Sequence, residues 1–232
     1  MRPLLAAVML SGLAAAPAVA QQRPVVVELF TSQGCSSCPP ADALLIELAK
    51  RPDVLALGYH VTYWNSLGWR DPFSLEAATQ RQYAYQRLLG SETVYTPQMI
   101  VDGRTDVVGS DRSGVVHAIA AAHPVQSVSV SVTARPAGLQ VAVGAGGGAA
   151  RVLLIGYDGI HNTSVARGEN AGRQLSEANI VRSSTVLADW TGSALTLASP
   201  TPVGEHVAVL LQDRDGHILG AATLGKPTGA SG

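Results

Sequence analysis

From residue 25 onward, short runs of uniformly apolar residues alternate with stretches that repeat apolar positions every three or four residues. Residues 25–30, where Val25, Val26, Val27, Leu29 and Phe30 surround a single Glu28, predict a strand covered on both faces. Pro39 and Pro40 open a helix over about 41–50, with Ala41, Leu44, Leu45 and Leu48 along one side. Residues 54–61 predict the next strand. Residues 74–89 predict a helix whose apolar side (Leu75, Ala78, Tyr85, Leu89) is broken by Gln82. Residues 98–101, the Asp102-Gly103 pair and residues 105–108 predict a hairpin. Asp111 caps a helix carrying Val115, Val116, Ile119 and Ala122, which stops before Pro124. The expected order is β-α-β-α-β-β-α over residues 21–124.

Beyond Pro124 the period changes to two. Val128, Val130 and Val132 alternate with Ser129, Ser131 and Thr133, and further strands are expected at 139–143, 151–157, 194–198, 203–212 and 218–224. Strands divided by Gly and Pro predict a small antiparallel β-sandwich-like module over 125–225. Residues 144–148 read as a hairpin tip, because no helix with Lys-Ser/Thr follows to make a phosphate loop. Residues 160–180 read as a long polar excursion between strands, and residues 226–232 as a frayed tail.

The amino terminus stands apart from this pattern. Arg2, an apolar stretch over 4–16 and Ala18-Val19-Ala20 predict a secretory signal peptide over residues 1–20, cut after Ala20. Pro17 interrupts a run already shorter than the roughly 20 residues a spanning helix needs. No membrane span is therefore expected in the mature chain, and its expected location is outside the cytoplasm, in a bacterial periplasm. Loss of Arg2 makes the formal net charge one unit more negative than the −1 of the full chain. Charged residues are 14% of the sequence and no basic stripe exists, so the electrostatic footprint of a nucleic-acid binder is missing.

Chemistry concentrates at Cys35-Ser36-Ser37-Cys38, which holds the only two cysteines. Two thiols spaced this way at a strand-to-helix turn can close a small disulfide and reopen it. Unpaired N–H groups at the helix start favour thiolate over thiol. With Ser37 as cap, both prolines fall in the first three helical positions, where no donor is required. Cys35 then lies just ahead of the helix as the exposed nucleophile, and Cys38 is the buried resolving partner. Glu28, inside an apolar strand, reads either as a proton acceptor for Cys38 or as a carboxylate satisfied by backbone donors or an arginine. Thr96-Pro97 precedes a strand, and the element order leads us to expect a cis bond there, presenting backbone to an extended substrate. His60 ends a strand within plausible reach of Cys35, and together with both sulfurs would suit Cu(I). Tyr63, Trp64 and Trp69 lie on the connection over 60–73, either lining a substrate groove or plugging the junction with the β-rich module. Arg167, Glu169, Asn170 and Arg173 crowd into the polar excursion, which either folds back over the dithiol or forms a solvated ion-pair cluster.

Taken together, strand, Cys-x-x-Cys, helix, strand, helix, Thr-Pro, hairpin and helix resemble the thioredoxin superfamily. More narrowly, Glu28-Leu29-Phe30-Thr31-Ser32-Gln33-Gly34-Cys35-Ser36-Ser37-Cys38-Pro39-Pro40-Ala41-Asp42, His60-Val61 with Tyr63-Trp64, Gly68-Trp69-Arg70-Asp71-Pro72-Phe73, Tyr95-Thr96-Pro97-Gln98 and Arg167-Gly168-Glu169-Asn170-Ala171-Gly172-Arg173 resemble an exported family known as domain of unknown function 1223. The resemblance covers nearly the whole mature chain. It implies a thioredoxin-like module followed by an extra β-rich one, and no established substrate. Thr62 and Asn65 stand where acidic residues are expected in that family, so no carboxylate role carries over to them.

The expected function is exported thiol-disulfide exchange on the cysteines of other envelope proteins, with Cys35 and Cys38 reacting, Glu28 assisting and Thr96, Pro97, Trp64 and His60 at the substrate side. No cofactor beyond the disulfide itself is expected. The alternatives are a Cu(I) carrier using Cys35, Cys38 and His60, and a non-catalytic envelope binding module whose disulfide pins a helix. Oligomeric state is not legible.

Overall fold

A computed structural model describes residues 23–122 and 127–224. The expected signal peptide, the boundary at Pro124 and the tail lie outside the described residues. The first half runs β1 (Val25–Thr31), α1 (Pro39–Leu48), β2 (Val54–His60), α2 (Glu76–Leu89), β3 (Gln98–Val101), β4 (Thr105–Val108) and α3 (Arg112–Ala121), the order the apolar pattern predicts. The second half runs β5 (Val130–Arg135), β6 (Gly138–Val143), β7 (Ala150–Ser164), β8 (Gln174–Trp190), β9 (Leu195–Ser199), β10 (His206–Asp213) and β11 (Ile218–Thr223).

The two halves share a sheet. Eight strands run in the order β11-β10-β7-β8-β2-β1-β3-β4, and a second sheet holds β5-β6-β9. β1 and β2 are parallel over their length, whereas β2 meets β8 at a single parallel register, Gly58 against Ile180. Gly58 permits that approach: a Cβ there would stand 3.2 Å from the Ala178 carbonyl oxygen and 3.4 Å from Leu45. The expected separate sandwich is thus corrected. One of its layers is the far end of the large sheet, onto which the small sheet packs through Val132, Val141 and Val143 against Val152, Leu154 and Val209.

Both faces of β1 and β2 are covered, so all fourteen of their residues are buried. Val25, Val27 and Leu29 meet Leu44, Leu45 and Leu48 of α1 and Val115 and Ile119 of α3. Val26 and Phe30 face the other way, toward Tyr59, Tyr85 of α2 and Ile155 of β7. Gln82, the break in the predicted face of α2, is fully buried because its amide donates to the Tyr95 carbonyl oxygen (2.8 Å) and to Gln98 Oε1 (2.9 Å).

The expected polar excursion over 160–180 is also corrected. β7 and β8 continue through it as a long antiparallel arm, paired from Ala150–Trp190 to Ser164–Gln174, with residues 165–173 as its tip. The segment reads as polar because the outer stretch of β7 buries only alternate residues or none. β8 goes unnoticed in the sequence for the same reason, its middle being Arg182, Ser183 and Ser184.

Candidate functional site

β1 ends at Thr31 and a tight turn delivers Cys35, whose N–H donates to the Ser32 carbonyl oxygen at 3.1 Å. Cys35 and Cys38 are joined as a disulfide, with Cα atoms 5.4 Å apart. The helix cap is Cys38 rather than the expected Ser37, because Pro39 and Pro40 already occupy the first two helical positions. Released from capping, the Ser37 hydroxyl lies 3.3 Å from Cys35 Sγ and donates to the Thr96 carbonyl oxygen at 3.4 Å.

Thr96–Pro97 is cis. Pro97 meets Ala41 of α1 and Leu29 of β1 around Gly109, where an added Cβ would lie 3.1–3.2 Å from all three. Trp64 Nε1–H donates to Thr96 Oγ1 at 2.9 Å, and its Cβ would be 3.1 Å from a Cβ on Gly34. Thr96, Pro97 and Trp64 are thereby gathered beside the dithiol loop.

Cys35 is not the exposed member of the pair: both cysteines are 0% exposed, while Ser36 and Ser37 between them face solvent. The arm tip packs on the main chain of this loop. Asn170, itself 0% exposed, donates through Nδ2 to the Cys35 carbonyl oxygen (2.9 Å) and the Gln33 carbonyl oxygen (3.0 Å). Arg173 holds that amide in place by donating to Asn170 Oδ1 at 2.9 Å. Glu169 accepts from the Ser36 N–H at 3.2 Å. Trp69 closes the side, its Nε1–H donating to Gln33 Oε1 at 3.0 Å and its Cβ lying against Gly168 of the tip.

Beneath the loop lies a buried set of ionisable groups. His60 Nδ1 is 2.7 Å from Asp71 Oδ2, an oxygen that also accepts from the Gln33 N–H at 2.9 Å. Asn65 braces this pair by accepting from the Asp71 N–H, and Thr62 bonds Glu76 and Thr79 instead. Burial alone would depress His60, but Asp71, with Glu177 and Asp42 further off, lifts it to about 9. Burial pushes Asp71 up, yet His60 and the backbone N–H donors outweigh it and hold the carboxyl below its usual range. His60 is thus a partner of Asp71. Among the described residues no group of three or more His, Cys, Asp or Glu is arranged to hold a metal.

Two carboxyls in this set carry no sequence expectation. Asp42 sits in the first turn of α1, four residues after Cys38 and so on the same side of the helix. It accepts from Thr31 Oγ1–H at 2.8 Å, and burial, followed by the charge of Glu177, raises it to about 7. Glu177, on β8, accepts from Gln33 Nε2–H at 2.8 Å through one oxygen, while its other oxygen is buried with no partner. Burial raises Glu177 too. An acidic residue in a first helical turn reads as a dipole-favoured surface group, and nothing local to Glu177 marks it as buried.

Glu28 belongs elsewhere. It lies on the Val26–Phe30 side of β1, opposite α1, where Arg81 clasps both its oxygens at 2.6 and 2.9 Å and the Tyr85 hydroxyl donates to it. The arginine reading, rather than assistance to Cys38, describes its surroundings.

Residues 26–212 match the family described as protein of unknown function (DUF1223), and the chain belongs to that family. An X-ray crystal structure of an Agrobacterium tumefaciens protein is similar at 36% identity and a TM-score of 0.79, covering 92% of this chain and 100% of that one. HBP35 of Porphyromonas gingivalis shares the fold at 15% identity and a TM-score of 0.56, over 91% of this chain and 79% of that one. No curated protein matches.

Proposed function

We propose that the protein is an exported thiol-disulfide oxidoreductase built on a thioredoxin-like module, acting on thiols or disulfides of envelope proteins. One observation carries the reading: a Cys35–Cys38 disulfide at the mouth of α1 with a buried carboxyl, Asp42, one helical turn further on and raised to about 7. The leader-like residues 1–20 support export, and Thr96, bonded to Trp64 and to Ser37 of the loop, supports a substrate-binding rim.

From the oxidised state, a substrate thiolate attacks Cys35 Sγ, forming a mixed disulfide while Cys38 leaves as a thiolate. A second substrate thiolate then attacks the substrate sulfur of that bond, closing the substrate disulfide and releasing Cys35. Two electrons pass from substrate to protein and two protons are shed by the substrate thiols. Run backwards, the Cys35 thiolate attacks a substrate disulfide and Cys38 resolves the intermediate. Asp42 is the group suited to exchange a proton with Cys38, because its raised pKa keeps both forms populated near neutrality. Trapping tests the assignment. Reduced Cys38→Ser should accumulate a lasting mixed disulfide with an aromatic disulfide reagent at Cys35, and reduced Cys35→Ser should react far more slowly. Equal, slow reaction of both variants would refute it.

A second reading, a disulfide that only pins α1, is favoured by the complete burial of both sulfurs. It requires a reduction potential below about −300 mV.

A further inference from the structure

We infer that residues 168–170, the tip of the β7–β8 arm, are a removable cover over the Cys35–Cys38 disulfide, so that a partner polypeptide reaches sulfur only after displacing them. The inference deepens the exchange reading and rests on it for its purpose. Its geometry is independent of that reading.

Three features make the contact a cover. It is polar and local: Asn170 bridges the Gln33 and Cys35 carbonyl oxygens, and Glu169 takes the Ser36 N–H. These are main-chain groups on either side of the reacting sulfur, the kind an extended substrate would use. The rest of the tip has little to anchor it. Residues 166–169 and 171–173 are exposed, and only Val165 and Asn170 are buried. The tip also has pivots, since Gly168 and Gly172 both adopt left-handed backbone, at φ +76° and +78°. The body of the arm, by contrast, is held by the β7–β8 ladder and by Glu177 on Gln33, so the tip can lift while the sheet stays intact.

The connection beside the tip points the same way. Leu67, 53% exposed, follows Trp64 on the connection that meets Gly168, leaving an apolar residue at the rim where a displaced tip would admit a partner.

The test is the rate at which a phosphine, tris(2-carboxyethyl)phosphine, reduces the disulfide in the full chain. The phosphine attacks sulfur, water supplies the oxygen of the phosphine oxide, and both sulfurs end as thiols. Asn170→Ala removes both carbonyl contacts and should speed reduction on the order of tenfold, and should speed reduction by a bulkier protein dithiol, reduced thioredoxin, by more. Ser164→Ala, an exposed change on the same arm, should leave both rates alone. Should Asn170→Ala not fold, Asn170→Ser, whose hydroxyl is too short to bridge both carbonyls, carries the comparison. Rates equal to the parent in the folded Asn170 variant, or an equal acceleration by Ser164→Ala, would overturn the cover. A strongly reducing potential in parent and variant alike would remove the exchange reading while leaving the rate comparison decisive for the tip.

Discussion

Strand β1 carries a buried ionisable cluster on each side, and the two are built differently. On the α2 side, Glu28 is saturated: Arg81 holds both carboxylate oxygens, Tyr85 donates as well, and Gln212 joins the tyrosine at 2.8 Å. On the α1 side, three carboxyls share one imidazole. His60 is committed to Asp71, leaving Asp42 and Glu177 with burial only partly offset and one Glu177 oxygen bare. A saturated pair of this kind serves the fold, because each charge in it already meets its partner. An unsaturated set near a dithiol can take or give a proton at little cost. Under the exchange reading, that contrast favours the α1 side for proton transfer, with Glu28 held in its ion pair.

The largest effect should come from breaking the saturated cluster. Arg81→Met leaves the Glu28 carboxylate buried without its cation and should cost about 3–5 kcal/mol of folding stability in urea denaturation. The reaction of the dithiol with phosphine, per folded molecule, should not change. A stable Arg81→Met protein, or one with altered dithiol reactivity, would erase the distinction between the two sides.

The unsaturated set should show itself through pH. The folded protein binds a proton at Asp42 more tightly than the unfolded chain does, so this group's contribution falls as pH rises from 3.8 to about 7. The whole change is at most about 4 kcal/mol. His60 acts in the same direction at higher pH: its stabilisation is complete below 6.5 and lost as pH rises through about 9. Asp71 opposes them only in acid, its contribution being lost as pH falls below 3.8 toward its lowered folded value. Stability should therefore decline from mildly acid to mildly alkaline pH, and Asp42→Asn should flatten the part below about 7. An unchanged profile in Asp42→Asn would place the proton elsewhere.

A smaller loss is expected from the disulfide itself. Closing a loop of four residues restrains the unfolded chain little, so Cys35→Ser should cost about 2 kcal/mol, while abolishing exchange. A much larger loss would favour the pin reading. Smaller again, Trp69→Phe removes one hydrogen bond to Gln33 and should cost about 1 kcal/mol.

The halves of the molecule were unequally legible in the sequence. Elements β1 to α3 could be read because all but β4 bury a face with its own period, and Pro39, Asp111 and the Asp102-Gly103 turn mark their ends. Cys35, Cys38, Thr96, Pro97 and Trp64 could be named as neighbours because a single loop, a rim and a strand mouth bring them together. The exposure of Cys35 could not be judged from nearby residues, since Asn170, which packs on its carbonyl oxygen, lies 135 positions away. The sharing of one sheet was hidden for a similar reason: it rests on Gly58 meeting Ile180, and a glycine in an apolar run signals only that something comes close. Glu28 left two readings open, because an isolated carboxylate in a buried strand does not show which element carries its arginine.

The central question is whether the Cys35–Cys38 bond is made to be exchanged. Its reduction potential, measured by equilibration of the full chain with glutathione, tests this most directly. The exchange reading predicts a value between about −270 and −120 mV, the span of dithiols that trade electrons with other proteins. A value below about −300 mV would contradict it and leave a bond that merely ties the start of α1.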